Sequence, residues 1–143
     1  MLYPVNPLHG VLFILIFSLI NKCYHTNKMT NNSIENTTGP FVHSVYFWLK
    51  NPTKEEDRVQ FETAIRKMIH TNPQATSNHL GCPAASEERE VVDNSFTYFY
   101  LMLFPDLEAQ NAYQTDPTHL LFIEEASHLW DRVLVYDSVS KRD

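Results

Sequence analysis

The chain has 143 residues, enough for one domain and a tail. Aromatic residues make up 13%, which suits a packed core or an aromatic-lined pocket and not a disordered chain. The formal net charge of -6 excludes a generic polyanion-binding surface, because nucleic-acid binders concentrate Lys and Arg, so no nucleic-acid partner is expected.

Residues 1–40 differ from the rest and are assigned as an N-terminal extension. Residues 11–20 (VLFILIFSLI) form an apolar run. It is shorter than the roughly 20 residues a spanning helix needs, and it has the length of a signal-peptide core. No Lys or Arg precedes it, and Lys22 lies on the wrong side. Met29 is an alternative start. Residues 29–40 (MTNNSIENTTGP) are polar and read as a flexible leader, in which Asn31 and Asn36 fit the glycosylation pattern. The chain is read as cytoplasmic without a membrane partner, with export or anchoring through residues 11–20 as the alternative. Cys23 and Cys82 lack metal-ligand spacing and a disulfide framework, and Cys82 reads as a reduced, at least half-buried thiol.

The folded domain is expected over residues 41–140. Residues 41–50 (FVHSVYFWLK) have the β-branched and aromatic content of a strand. Alternation puts Phe41, His43, Val45, Phe47 and Leu49 on one face and Val42, Ser44, Tyr46 and Trp48 on the other. Both faces are largely apolar, so both are expected to be covered. His43 is either a satisfied core histidine or a cavity-lining one.

A helix follows, with Thr53 as N-cap and Glu56 closing a capping box. Phe61, Ala64, Ile65, Met68 and Ile69 recur at helical spacing and mark its core face. Residues 77–85 (SNHLGCPAA) make a short second strand, with Gly81 permitting a bend. Residues 86–94 are charged and form a loop. Residues 95–104 (SFTYFYLMLF) are a third strand with Tyr98, Tyr100, Met102 and Phe104 on one face.

Pro105 ends that strand and Asp106 caps a helix over residues 107–114. The segment AYQTDPTHLLF then breaks it. Proline lacks an N–H and disfavours helical geometry in the residue before it, so the helix should stop near Thr115. A new helix starts with Asp116 as N-cap and Pro117 at its first position. On one unbroken helix Tyr113 and His119 would stand about 240° apart. The break lets both point into one space. The partial positive charge of a helix N-terminus favours neutral imidazole at His119, which beside a phenol makes a reasonable general base with a donor. The competing assignment is that Tyr113 packs on the core and His119 caps or packs. Phe122, Ile123, Ala126 and Trp130 extend the helical stripe, and residues 132–139 form a last strand.

The order β-α-β-β-α-β is an α+β, ferredoxin-like pattern: an antiparallel sheet with helices on one face. The second apolar sheet face would be buried if two copies paired their sheets into a dimeric barrel.

Over residues 41–138 the chain resembles the stress-responsive dimeric α/β-barrel (Dabb) family. The resemblance rests on the first strand with His43, the short strand with Gly81, the aromatic third strand, AYQTDPTHLLF and the closing VLVYD. It implies a homodimer with a pocket between sheet and helices. One branch, the plant cyclases of the olivetolic acid type, implies catalytic roles for residues matching His119 (base), Tyr113 (donor or orienter) and His43 (support), with no cofactor or metal. Phe47, Tyr98, Tyr100, Met102 and Phe122 are the expected ligand-binding wall, bulkier and more polar than an alkyl-chain site.

Two functions are therefore carried forward. One is a dimeric module binding a small aromatic or carbonyl ligand. The other is a cofactor-independent cyclase, isomerase or lyase acting on a small carbonyl or polyketide-like compound. A monooxygenase is a weaker third option, since no flavin or haem motif is visible.

Overall fold

The structure is a computed structural model, and it describes residues 41–140. The extension over residues 1–40, with its apolar run and leader, lies outside the described residues. Four strands and three α-helices follow in the order β1 (Phe41–Leu49), α1 (Glu55–Thr71), β2 (Ser77–Gly81), β3 (Tyr98–Phe104), α2 (Leu107–Thr115), α3 (Pro117–Ala126), a 3-10 turn (Ser127–Leu129) and β4 (Trp130–Val139). The strands form one sheet in the order β2-β3-β1-β4. Every neighbouring pair is antiparallel. This is the ferredoxin-like arrangement.

The period-two reading of β1 matches its burial. Phe41, His43, Val45, Phe47 and Leu49 are buried, and the residues between them are half-buried. The buried set lies on the helix side of the sheet, where Phe47 packs on α1, whose Phe61, Ala64, Ile65 and Met68 are also buried. Phe61 is the centre of this core. Its ring stacks on Tyr98 at 4.8 Å and meets Phe47 edge-on at 5.0 Å. Both contacts lie in the range where aromatic pairs attract beyond simple burial.

Several local details differ from the sequence expectation. The first helix does not use the Thr53–Glu56 box. Lys54 is its N-cap and makes no side-chain cap bond. Instead Asp57, in the first turn, accepts from Asn51 Nδ2 at 2.9 Å and Lys54 Nζ at 2.6 Å. That carboxylate ties the turn to the helix start and also complements the helix dipole. β2 stops at Gly81, four residues short, and β3 starts at Tyr98 rather than Ser95. Trp130 opens β4 rather than extending the helical stripe, because the 3-10 turn redirects the chain after Ala126. Cys82 is disulfide-bonded, not the reduced thiol expected. Among the described residues no helix is long and apolar enough to cross a membrane.

Candidate functional site

The break between α2 and α3 forms as the sequence predicts. Asp106 caps α2 by accepting from Ala109 N at 2.8 Å. Asp116 caps α3 by accepting from Thr118 N at 2.8 Å, and Pro117 occupies the first helical position. Further bonds anchor this joint to the loop after α1. Gln74 Nε2 donates to Asp116 at 2.9 Å, and Asn72 Nδ2 donates to Thr118 Oγ1 at 3.2 Å. Hydrogen bonds to the Asp116 carboxylate, first from the Thr118 hydroxyl and then from Gln74, hold its pKa below the usual value.

The consequence is a close pair. The rings of Tyr113 and His119 lie 4.2 Å apart between centroids, tilted by 35°. They touch face to face and are not hydrogen-bonded to each other. The Tyr113 hydroxyl instead points to Met68 Sδ at 3.6 Å. Tyr113 is buried, and burial pushes its phenol far above the ordinary range, so it stays protonated. His119 Nδ1 lies 3.2 Å from the Gln114 carbonyl oxygen. A carbonyl only accepts, so Nδ1 carries the hydrogen and Nε2 is the ring's remaining acceptor. Burial, assisted by nearby His43, lowers the His119 pKa below its ordinary value, against the pull of the Gln114 carbonyl and Asp116.

His43 meets the same cluster from β1. Its ring stands edge-on to Tyr113 at 5.8 Å. It pairs across the sheet with Asp137 of β4. Nδ1 lies 2.6 Å from Asp137 Oδ1, the short distance of a charge-assisted bond. Asp137 escaped the sequence reading. The signal was available only in part: the last strand carries an acidic residue after the run VLVY, but its register against His43 requires the folded sheet.

These groups line a cavity of about 260 Å³ between the sheet and α2–α3. Of the expected wall, Phe47, Tyr100 and Phe122 line it; Tyr98 and Met102 do not. Tyr98 faces α1, where its hydroxyl donates to Glu62 at 2.6 Å, and Met102 is fully buried. The cavity also takes in Trp130, Ile123, Val133 and Val135, none of which the sequence assigned to the ligand wall. Val133 and Val135 pair with Phe47 and Val45, so they share the helix-side face. Each is nevertheless 42% exposed, which places the mouth along the β4 edge. Among the described residues no cluster of three His, Cys, Asp or Glu could hold a metal ion.

An antiparallel four-stranded sheet with its helices on one face, enclosing a pocket with an aromatic wall, defines an α+β protein of the ferredoxin-like class. The model of the stress responsive A/B barrel domain, Dabb, matches residues 41–140, and the chain belongs to that family. No curated protein matches the chain. Among solved structures, a protein of Arabidopsis thaliana is 19% identical with a TM-score of 0.59, covering 73% of this chain and 98% of that one. A Dabb family protein with a ferredoxin-like fold from Mesorhizobium loti is 19% identical with a TM-score of 0.58, covering 71% and 97%. The hydroxynitrile lyase of Passiflora edulis is 16% identical with a TM-score of 0.59, covering 72% and 94%.

Proposed function

We propose that this chain is a small homodimeric module whose internal cavity binds a small organic ligand. The observation that carries this reading is the cavity itself. About 260 Å³ of space lies between apolar walls, with Tyr113, His119, His43 and Asp137 meeting in its lining. A largely apolar pocket with a few converging polar groups is the usual form of a small-molecule site. Homodimerisation is supported by the outer sheet face, where Tyr46, Trp48, Phe99 and Leu101 are half-buried and Tyr136 is exposed. Helices cover only the opposite face. Related folds from Thermobifida fusca and Bacteroides fragilis are described as dimeric.

A second reading rests on His119. Its Nε2 is an unclaimed acceptor on a neutral ring, next to a protonated phenol. That arrangement suits a general base with an orienting donor, as in a cofactor-independent cyclase, isomerase or lyase.

The test is a melting-temperature screen of the full chain against small aromatic and carbonyl compounds, run beside Tyr113→Phe and His119→Ala, with the mass measured by light scattering. A ligand of the native state raises the melting temperature by mass action. A compound that stabilises the parent and not the variants, on a particle of twice the chain mass, supports the reading. A monomer whose melting temperature no compound raises counts against it. Turnover of a stabilising compound, lost in His119→Ala, would favour the enzyme.

A further inference from the structure

The cavity lining combines aromatic walls with two histidines and one carboxylate. Phe47, Tyr100, Phe122 and Trp130 supply aromatic walls. An apolar cavity of about 150 Å³ is known to take benzene. At about 260 Å³ this cavity has room for one ring with substituents.

The two histidines of the lining have their nitrogens assigned by their partners. Asp137 takes the hydrogen of His43 Nδ1 at 2.6 Å, and the Gln114 carbonyl takes that of His119 Nδ1 at 3.2 Å. Each ring therefore has Nε2 left for another partner. The described lining contains neither Lys nor Arg. The His43–Asp137 pair carries no net charge when the imidazole is protonated and a negative one when it is neutral. His119, desolvated, leans to its neutral form. An anion entering this space would lose part of its hydration, find no Lys or Arg, and meet the Asp137 carboxylate. A neutral hydroxyl on an aromatic ring fits each feature: the ring packs on the aromatic walls, and the O–H donates to an imidazole nitrogen.

On the reading that the cavity is a ligand site, we propose that it selects an uncharged, single-ring hydroxyaromatic molecule. The hydroxyl donates to His119 Nε2, and the Asp137 carboxylate excludes the matching carboxylates.

The test uses three molecules of one shape: 4-ethylphenol, 4-ethylbenzoate and ethylbenzene. Each is titrated into the full chain near neutral pH by calorimetry, with heteronuclear NMR to locate the perturbed residues. The expected result is that 4-ethylphenol binds about tenfold or more tightly than either of the others, a difference of about 1.4 kcal/mol. In Asp137→Asn the disadvantage of 4-ethylbenzoate should shrink about tenfold, since a nearby like charge has been removed. If 4-ethylbenzoate or ethylbenzene binds the parent as tightly as the phenol, the selectivity is overturned while the ligand pocket stands. An unchanged disadvantage in a folded Asp137→Asn overturns the role of that carboxylate. If none of the three binds at millimolar concentration, the hydroxyaromatic assignment is overturned, and the pocket reading is decided by the wider melting-temperature screen. The ranking in the parent decides the selectivity even if the variant does not fold.

Discussion

The imidazole of His119 lies against the phenol ring of Tyr113, 4.2 Å between centroids, although the two residues belong to different helices. The joint between those helices is held by Asp116, which accepts from Thr118 N at 2.8 Å and Gln74 Nε2 at 2.9 Å. Replacing Asp116 with Ala removes these bonds and the one from the Thr118 hydroxyl. Losing an N-cap typically costs about 1 kcal/mol, with a range of about 0.5–2. Urea unfolding should show a loss of that size. The His119 NMR signals should shift as well, because α3 is no longer fixed at its start.

The depressed pKa of His119 has a consequence for stability against pH. Its folded-state value lies below the unfolded value near 6.5. The unfolded chain therefore binds the proton first as pH falls. The stabilisation is fully present above pH about 6.5 and is lost as pH falls through the folded pKa. Melting temperatures measured from pH 8 to 5 should decline in the parent below about 6.5. The decline should be shallower in His119→Gln. A His119 ring titration followed by NMR should have its midpoint below that of a free histidine.

Tyr98 and Tyr113 give opposite expectations on replacement by Phe. The Tyr98 hydroxyl bonds Glu62 at 2.6 Å and lies off the cavity. Tyr98→Phe should cost about 1.5–3 kcal/mol, as loss of a hydrogen bond to a charged group, and leave ligand affinity unchanged. The Tyr113 hydroxyl has only the Met68 sulfur at 3.6 Å. Tyr113→Phe should change stability by less than about 1 kcal/mol while weakening any ligand that uses the phenol. Paired unfolding and titration experiments separate the two.

Phe61 is fully buried and its ring contacts Phe47, Tyr98, Phe122 and Trp130. Phe61→Ala should cost about 3–5 kcal/mol, the range for removing a large buried aromatic side chain. Chemical denaturation should show this loss, against at most about 0.5 kcal/mol for Val59→Ser at an exposed position on the same helix.

The amino-acid sequence by itself determined the order of elements, the buried face of β1 and the break before α3. Each is a local property: side-chain period, a proline without an N–H, and carboxylates suited to capping. The same local logic allowed Tyr113 and His119 to point into one space, and it left open whether they only pack; their ring contact is seen in the folded structure. It misplaced Tyr98 and Met102 on the cavity wall. Both share the inner strand face with Tyr100, and only the helix packed above each one decides whether it meets space or side chains. Tertiary structure alone decided the pairing of His43 with Asp137. These residues are 94 positions apart, and their contact depends on the register of two strands that the sequence does not number against each other.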